Sequence, residues 1–418
     1  MKFHFKLLSS LLALLTFNHL SAETSAPIQP GDHVAFVGNT FADQLRNHGY
    51  LETLLLNAFE EEALSFRNLG WAGDTLTVRD RPTNFPTEKS TLIEHETDLI
   101  IACFGLSESF AGEAGIDNFK QDLKAFIQSH RGQSYNDESE VRLIFVSPIA
   151  YENLGNLTPN WKKRNQDLKS YSQAMMNVAV EEVIPFIDLF NPTSNLFEDE
   201  AASRFTTNGI HLNDFGYWSV SNLIYKQLMA MISRVPEPWT LRIDAKTGAV
   251  RSNGVELSRF TLDGQNFSFD VKEESSPSLP PPLDPNMPAE LSAYRDSLVI
   301  ENLEPGEYTL MVDGKPVATA THEEWAEGVP IDSSPAHREA EDYRAEVIDK
   351  NTQFIYSWKA LNQVHIVGER RNSSSGRALP QEVIEFNKLT KEKDASLQNG
   401  LERKTREWQL VPDTKLTN

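Results

Sequence analysis

A single cysteine among 418 residues leaves the chain without any internal disulfide, so its stability has to come from a packed core. That residue, Cys103, sits in the apolar run Leu99-Ile100-Ile101-Ala102-Cys103-Phe104 and reads as a small buried hydrophobe, not a nucleophile. Metal-ligand patterns are missing as well. His33, His48, His95, His130, His211, His322, His337 and His365 are scattered, and none pairs with another His or a Cys at ligand spacing, so no metal is expected. Glycine-rich phosphate and dinucleotide fingerprints are absent, and without a Cys-x-x-Cys-His motif covalent haem is excluded. No cofactor is expected. Positive charge is in short supply: 39 Lys and Arg face 60 Asp and Glu, a net charge of -21. Such a surface repels phosphate backbones and anionic lipid, so nucleic acid is not an expected partner. There is no internal repeat, and beyond the first twenty residues no apolar run approaches the length that spans a bilayer.

What is present begins with Met1-Lys2-Phe3-His4-Phe5-Lys6, a basic start, followed by the Leu-rich run Leu7 to Phe17 and small residues at Ser21-Ala22. This order predicts a secretory signal peptide over residues 1–22, cleaved before Glu23, and an exported chain that is periplasmic or extracellular and has no membrane span after cleavage.

From Gly31 to Arg234 short β-branched or aromatic runs alternate with longer segments of helical period, the pattern of a parallel sheet covered by helices. Strands are expected at Val34 to Val37, Leu64 to Arg67, Leu99 to Cys103, Leu143 to Val146 and Phe186 to Leu189. Helices are expected at Phe41 to Phe59, Ile116 to His130, Asn160 to Val180 and Asp214 to Ile232. The strands are nearly continuous apolar runs, which predicts an α/β fold: a three-layer α/β/α sandwich with a parallel five-stranded sheet. Residues 236–332 switch to period two around a proline-rich loop and read as a small β-rich appendage. In it, Ser297 to Ile300 and Tyr308 to Val312 look like a hairpin. A helix and strand over 333–370, started by Ser334 and Pro335, should pack on the main body. Residues 381–410 read as a charged helix exposed to solvent or partly disordered.

Four expected strand-end loops carry chemistry. Gly38-Asn39-Thr40-Phe41 puts a hydroxyl at the carboxyl edge of the sheet, where open α/β folds bind ligands, although a threonine there is also an ordinary helix cap. Asn68-Leu69-Gly70-Trp71-Ala72-Gly73-Asp74 supplies glycines, Phe104-Gly105-Leu106-Ser107-Glu108-Ser109 a polar cluster, and Thr207-Asn208-Gly209-Ile210-His211-Leu212-Asn213 a histidine in a loop. A hydroxyl, a glycine, a polar side chain and a histidine from separate loops are the parts of an acyl-transfer site.

In these blocks the chain resembles the SGNH, or GDSL-type, hydrolases over residues 31–234, with a sheet of the flavodoxin-like kind. The resemblance is closer to an exported bacterial subgroup with a Gly-Asn-Thr first block. It implies an acyl esterase of carbohydrate or other extracellular esters: Thr40 as nucleophile, His211 as base and then acid, Asn208 beside the histidine, Gly73 and Ser107 holding the oxyanion. Three positions depart from the family. Thr40 stands for its serine, Asn208 for the aspartate that orients the histidine, and Ser107 for its asparagine. Asp74, Glu108 and Asp214 offer other carboxylates for His211, and Ser107 or Ser109 another hydroxyl. The competing expectation is a non-catalytic ligand-binding or scaffold module on the same fold.

Overall fold

The computed structural model describes residues 26–413, apart from 61, 82–84, 200–201, 235–236, 264–265, 283–285 and 361–371. The signal-peptide expectation lies outside the described residues, as does the strand expected before residue 370.

Alternation within the apolar strands builds the layers. Strand β1 (His33–Gly38) sends Val34 and Phe36 to one side and Ala35 and Val37 to the other, and each set joins a different core cluster. The same division runs through β3 (Leu99–Cys103), with Leu99 and Ile101 opposed to Ile100 and Ala102, and β4 (Arg142–Val146). With β2 (Ser65–Asn68) and β5 (Phe186–Ile187) they form one parallel sheet in the order β2-β1-β3-β4-β5. Because side chains alternate across a sheet, two buried faces favour near-continuous apolar runs, as in Val34 to Val37, Leu99 to Cys103 and Leu143 to Val146, whereas the edge strand β2 carries Ser65, Arg67 and Asn68.

Helices α1 (Thr40–His48), α2 (Tyr50–Ala58) and α7 (Asp214–Met231) line one face. The other is covered by α3 (Glu88–Glu94), α4 (Ile116–His130) and α5 (Trp161–Glu182). A short α6 (Phe190–Leu196) follows β5. The expected α/β/α sandwich is therefore the observed one. The single helix expected over Phe41 to Phe59 is instead two. Gly49 adopts φ 67°, its N-H bonds Leu45 O to end α1, and the chain re-enters a helix at Tyr50. Glycine is suited to this left-handed turn, and a Cβ there would lie 2.9 Å from Ile348 Cγ1.

The β-rich part is a two-sheet sandwich. Strands β6 (Thr240–Asp244), β7 (Val250–Asn253), β10 (Ser297–Glu301) and β13 (Val329–Pro330) form one sheet in the order β13-β10-β6-β7. The other runs β12-β11-β14-β9-β8, from β8 (Val255–Asp263), β9 (Asn266–Glu273), β11 (Glu307–Val312), β12 (Lys315–Thr321) and β14 (Arg406–Pro412). Helix α8 (His322–Glu327) buries Trp325 in the shared core. The hairpin expected between Ser297 and Val312 is not formed. Strand β10 pairs in parallel with β6, while β11 pairs with β12 and β14, so the turn after Glu301 carries the chain from one sheet to the other.

Helix α9 (Pro335–Trp358) packs across the α/β domain. Its Lys350, fully buried, lies 2.5 Å from Glu52 and donates to Phe66 O at 3.1 Å. Helix α10 (Ser374–Leu397) lies along α9, with Asp394 bonded to Arg67 at 2.6 Å. The charged helix expected over 381–410 thus ends at Leu397. Beyond it, β14 buries Trp408 and Leu410 between β9 and β11, because the alternation of Trp408, Gln409 and Leu410 suits a strand with one covered face. Among the described residues no helix is long and apolar enough to cross a membrane.

Candidate active site

Backbone contacts between strand ends bring the first three loops together. At the end of β1, Gly38 has φ 145° and lies so close to Cys103 that a Cβ would stand 2.3 Å from its carbonyl oxygen. Asn39 N-H bonds Cys103 O at 3.3 Å, and Trp71 N-H bonds Gly38 O at 3.0 Å. Asn39, not Thr40, caps α1, accepting Phe41 N-H at 3.0 Å. Thr40 becomes the first helical residue, half-buried. Among the described residues neither its hydroxyl nor its N-H has a hydrogen-bond partner, which leaves both at a helix N-terminus, where developing negative charge is favoured.

The loop after β2 is shaped by Asn68, whose amide donates to Ala42 O at 2.7 Å and whose carbonyl accepts Gly70 N-H at 3.0 Å. Gly70 permits this approach, since a Cβ would fall 2.4 Å from Asp43 N. Gly73 is exposed at φ 89°, a Cβ there would meet no atom within 4 Å, and its N-H has no partner among the described residues. The loop after β3 joins it through Glu108, whose carboxylate accepts Leu76 N-H at 2.9 Å and Gly105 N-H at 2.8 Å. Burial raises the Glu108 pKa while these bonds oppose the shift. Among the described residues Ser107 Oγ is without a partner, whereas Ser109 is buried, donates to Leu106 O and accepts from Arg164 at 2.7 Å. That second serine is therefore not a free hydroxyl. Burial pushes the Cys103 thiol up to about 12, which leaves it inert.

Two cations with no signal in the strand-end motifs lie against this loop. Arg81 clamps Asp74 through two bonds of 2.8 and 2.6 Å, and its guanidinium lies 4.3 Å from the Trp71 ring centre. Lys359, at the end of α9, bonds Asp43 at 2.7 Å and stands 4.5 Å from the same ring. Burial lowers the Lys359 pKa, with Asp43 opposing.

The histidine loop hangs on Glu152, a buried residue of the loop after β4. Its carboxylate accepts Phe205 N-H at 3.0 Å, Thr206 N-H at 2.8 Å and the Thr206 hydroxyl. Thr206 Oγ1 in turn accepts Gly209 N-H at 2.9 Å. Asn208 Oδ1 accepts His211 N-H at 2.9 Å and Ile210 N-H at 3.3 Å, and Asn208 Nδ2 lies 3.0 Å from His211 Nδ1. Because two backbone donors claim the amide oxygen, the NH2 group must face the ring. Nδ1 then accepts, and the neutral imidazole carries its proton on Nε2.

None of the alternative carboxylates bonds His211. Asp74 belongs to Arg81, Glu108 to backbone amides, and Asp214 to His48, 2.7 Å away. Phe41 and Tyr217 stack with centroids 6.0 Å apart and tie α1 to α7, the helix that follows the histidine loop. No hydrogen bond joins Thr40 to His211 among the described residues. A large cavity of about 1200 Å³ opens at the opposite edge of the sheet, beside His33, Asp98 and Arg142 at the amino ends of the strands, away from these loops.

Residues 31–218 match the model of the GDSL-like lipase/acylhydrolase family. A comparison with curated protein sequences returns no match. Among solved structures, a gut microbial diltiazem-metabolizing enzyme superposes with a TM-score of 0.68 at 16% identity, over 93% of this chain and 99% of its own. That likeness of fold takes in the β-sandwich as well as the α/β domain. A catalytic mutant of an acetylxylan esterase from Geobacillus stearothermophilus aligns at 14% identity and a TM-score of 0.38, over 48% of this chain and 96% of its own. The acetyl xylan esterase AlAXEase aligns at 19% identity and 0.36, over 46% and 98%. The sequence blocks, the parallel sheet that carries them and the family match agree: the domain formed by residues 31–218 belongs to the GDSL-like lipase/acylhydrolase family.

Proposed function

We propose that this domain hydrolyses acyl esters of small molecules or carbohydrates, with Thr40 as nucleophile and His211 as the proton carrier. The observation that carries the reading is that, among the described residues, the N-H groups of Thr40 and Gly73 and the hydroxyls of Thr40 and Ser107 have no hydrogen-bond partner, in loops stitched together at one sheet edge. Preorganised donors of this kind are the largest single source of acyl-transfer catalysis. In this reading Thr40 Oγ1 attacks the ester carbonyl, and the oxyanion is held by Thr40 N-H, Gly73 N-H and the Ser107 hydroxyl. His211 removes the hydroxyl proton and returns it to the leaving alcohol. Trp71, with Arg81 and Lys359 around it, borders the oxyanion side. The basic start and apolar run of residues 1–22 support export, and therefore an ester met outside the cytoplasm.

One observation favours the second reading, a ligand-binding module with little turnover. The amide of Asn208 keeps the proton on Nε2, so the resting histidine is a donor and not a base. Hydrolysis of p-nitrophenyl acetate by the purified protein, beside Thr40→Ala and His211→Ala, separates the two. Activity lost in both variants is the expected result. Equal background rates in all three proteins would leave the binding module as the better account.

A further inference from the structure

Asn208 is followed by Gly209, and the groups around this dipeptide form a reaction centre of their own. The Asn208 carbonyl oxygen already accepts two backbone N-H groups, from Ile210 and His211. Gly209 N-H donates to the Thr206 hydroxyl, which donates to the buried Glu152 carboxylate. The Asn208 amide nitrogen lies 3.0 Å from a ring nitrogen of His211. Asn208 and His211 are exposed, while Thr206, Gly209 and Glu152 are buried behind them, so water reaches the side chain and the relay stays dry.

We propose that Asn208 is a self-processing position, whose deamidation supplies the carboxylate that His211 lacks. The proposal deepens the esterase reading and rests on it. Gly209 N-H gives its proton through Thr206 Oγ1 to Glu152, and the nitrogen attacks Asn208 Cγ. Charge develops on Oδ1, where the Ile210 and His211 N-H groups receive it, as an oxyanion hole does. The Cγ-Nδ2 bond then breaks. Nδ2 takes up one proton, returned from Glu152 through Thr206 Oγ1, and leaves as ammonia from a five-membered imide. Water adds across the imide Cγ-N bond, restoring Gly209 N-H and leaving an aspartate at position 208. Its second oxygen takes the place of the departed NH2 group and accepts a hydrogen bond from Nδ1-H, so that the ring proton rests on Nδ1 and Nε2 is free to act as base. Glycine suits the step because no side chain shields its nitrogen.

The chain contains its own comparators in Asn253-Gly254 and Asn399-Gly400, both exposed asparagines without such partners among the described residues. The test holds the full chain at mildly alkaline pH, reads each of the three asparagine peptides by mass spectrometry over days, and assays p-nitrophenyl acetate hydrolysis in the same aliquots. Position 208 should gain one mass unit about tenfold or more faster than the other two, as expected where two oxyanion donors assist. Hydrolysis should rise with it. Thr206→Val, checked for an unchanged melting curve, should slow conversion, and Asn208→Gln should abolish it. Conversion at 208 no faster than at 253 or 399, or conversion mainly to isoaspartate, overturns the proposal. Conversion to aspartate without a gain in hydrolysis, when Asn208→Asp is equally inert, keeps the modification and refutes the esterase reading.

Discussion

Replacing Asn208 with aspartate directly should turn the resting histidine into a base. In the present geometry Asn208 Oδ1 is fixed by His211 N-H and Ile210 N-H, and its amide faces Nδ1 at 3.0 Å. A carboxylate keeps the first two bonds and reverses the third. The change removes a neutral bond that favours the wrong tautomer, about 0.5–1.5 kcal/mol, and adds a bond to a charged group, about 1.5–3 kcal/mol. At 1.36 kcal/mol per tenfold, the sum of about 2–4.5 kcal/mol corresponds to roughly 30- to 2,000-fold in kcat/KM. The reverse change in a serine protease costs about four orders of magnitude. A smaller effect is expected here because both residues are exposed and water screens the new pair. The assay is p-nitrophenyl ester hydrolysis against pH by freshly purified Asn208→Asp and wild type, with nitrogen-15 NMR of the imidazole to read the tautomer. A wild-type spectrum with the proton on Nδ1 would refute the reasoning at its root. A variant whose proton has moved to Nδ1 while the rate stays at background would refute the catalytic role of His211.

Two further outcomes follow from buried charge. Lys350→Met should cost about 3–5 kcal/mol in urea unfolding, because Glu52 would be left buried beside Asn351 without its cation, and Glu52→Leu/Lys350→Met together should restore most of the loss; equal losses in the single and double variants would count against the pairing. His130 is held down at about 4 by burial, so the unfolded chain takes up its proton first as pH falls below 6.5. Its contribution is therefore complete above that pH and lost on the way to about pH 4, a fall of about 3 kcal/mol, and His130→Gln should flatten this part of the stability profile.

Strand β3 was legible in the sequence because both of its faces are buried, so five apolar residues stand in a row. The break between α1 and α2 was not, since apolar residues continue at helical spacing through Gly49 and its turn matters only where Ile348 packs against it. Strand β14 carried a period-two signal in Trp408-Gln409-Leu410, outweighed by the charged residues before it, and its pairing partners lie far away in sequence. Within the candidate site, Thr40, Gly73 and Ser107 could be proposed because each lies just past a strand, and His211 because its glycine-containing loop leads into a helix. Lys359 and Glu152 could not, as they reach the site through helix packing and loop pairing. The tautomer of His211 is a property of where two backbone N-H groups point, and no residue pattern encodes it.

The place of β14 between β9 and β11 makes the whole sheet depend on one strand from far along the chain. The β8-β9 and β11-β12 hairpins precede it in the chain and, without it, are two half-sheets whose unpaired edges face the same empty slot. Neither edge is satisfied unless β14 hydrogen-bonds to both. The two halves of this sheet are joined only through β14, and Trp408 and Leu410 carry that join into the sandwich core.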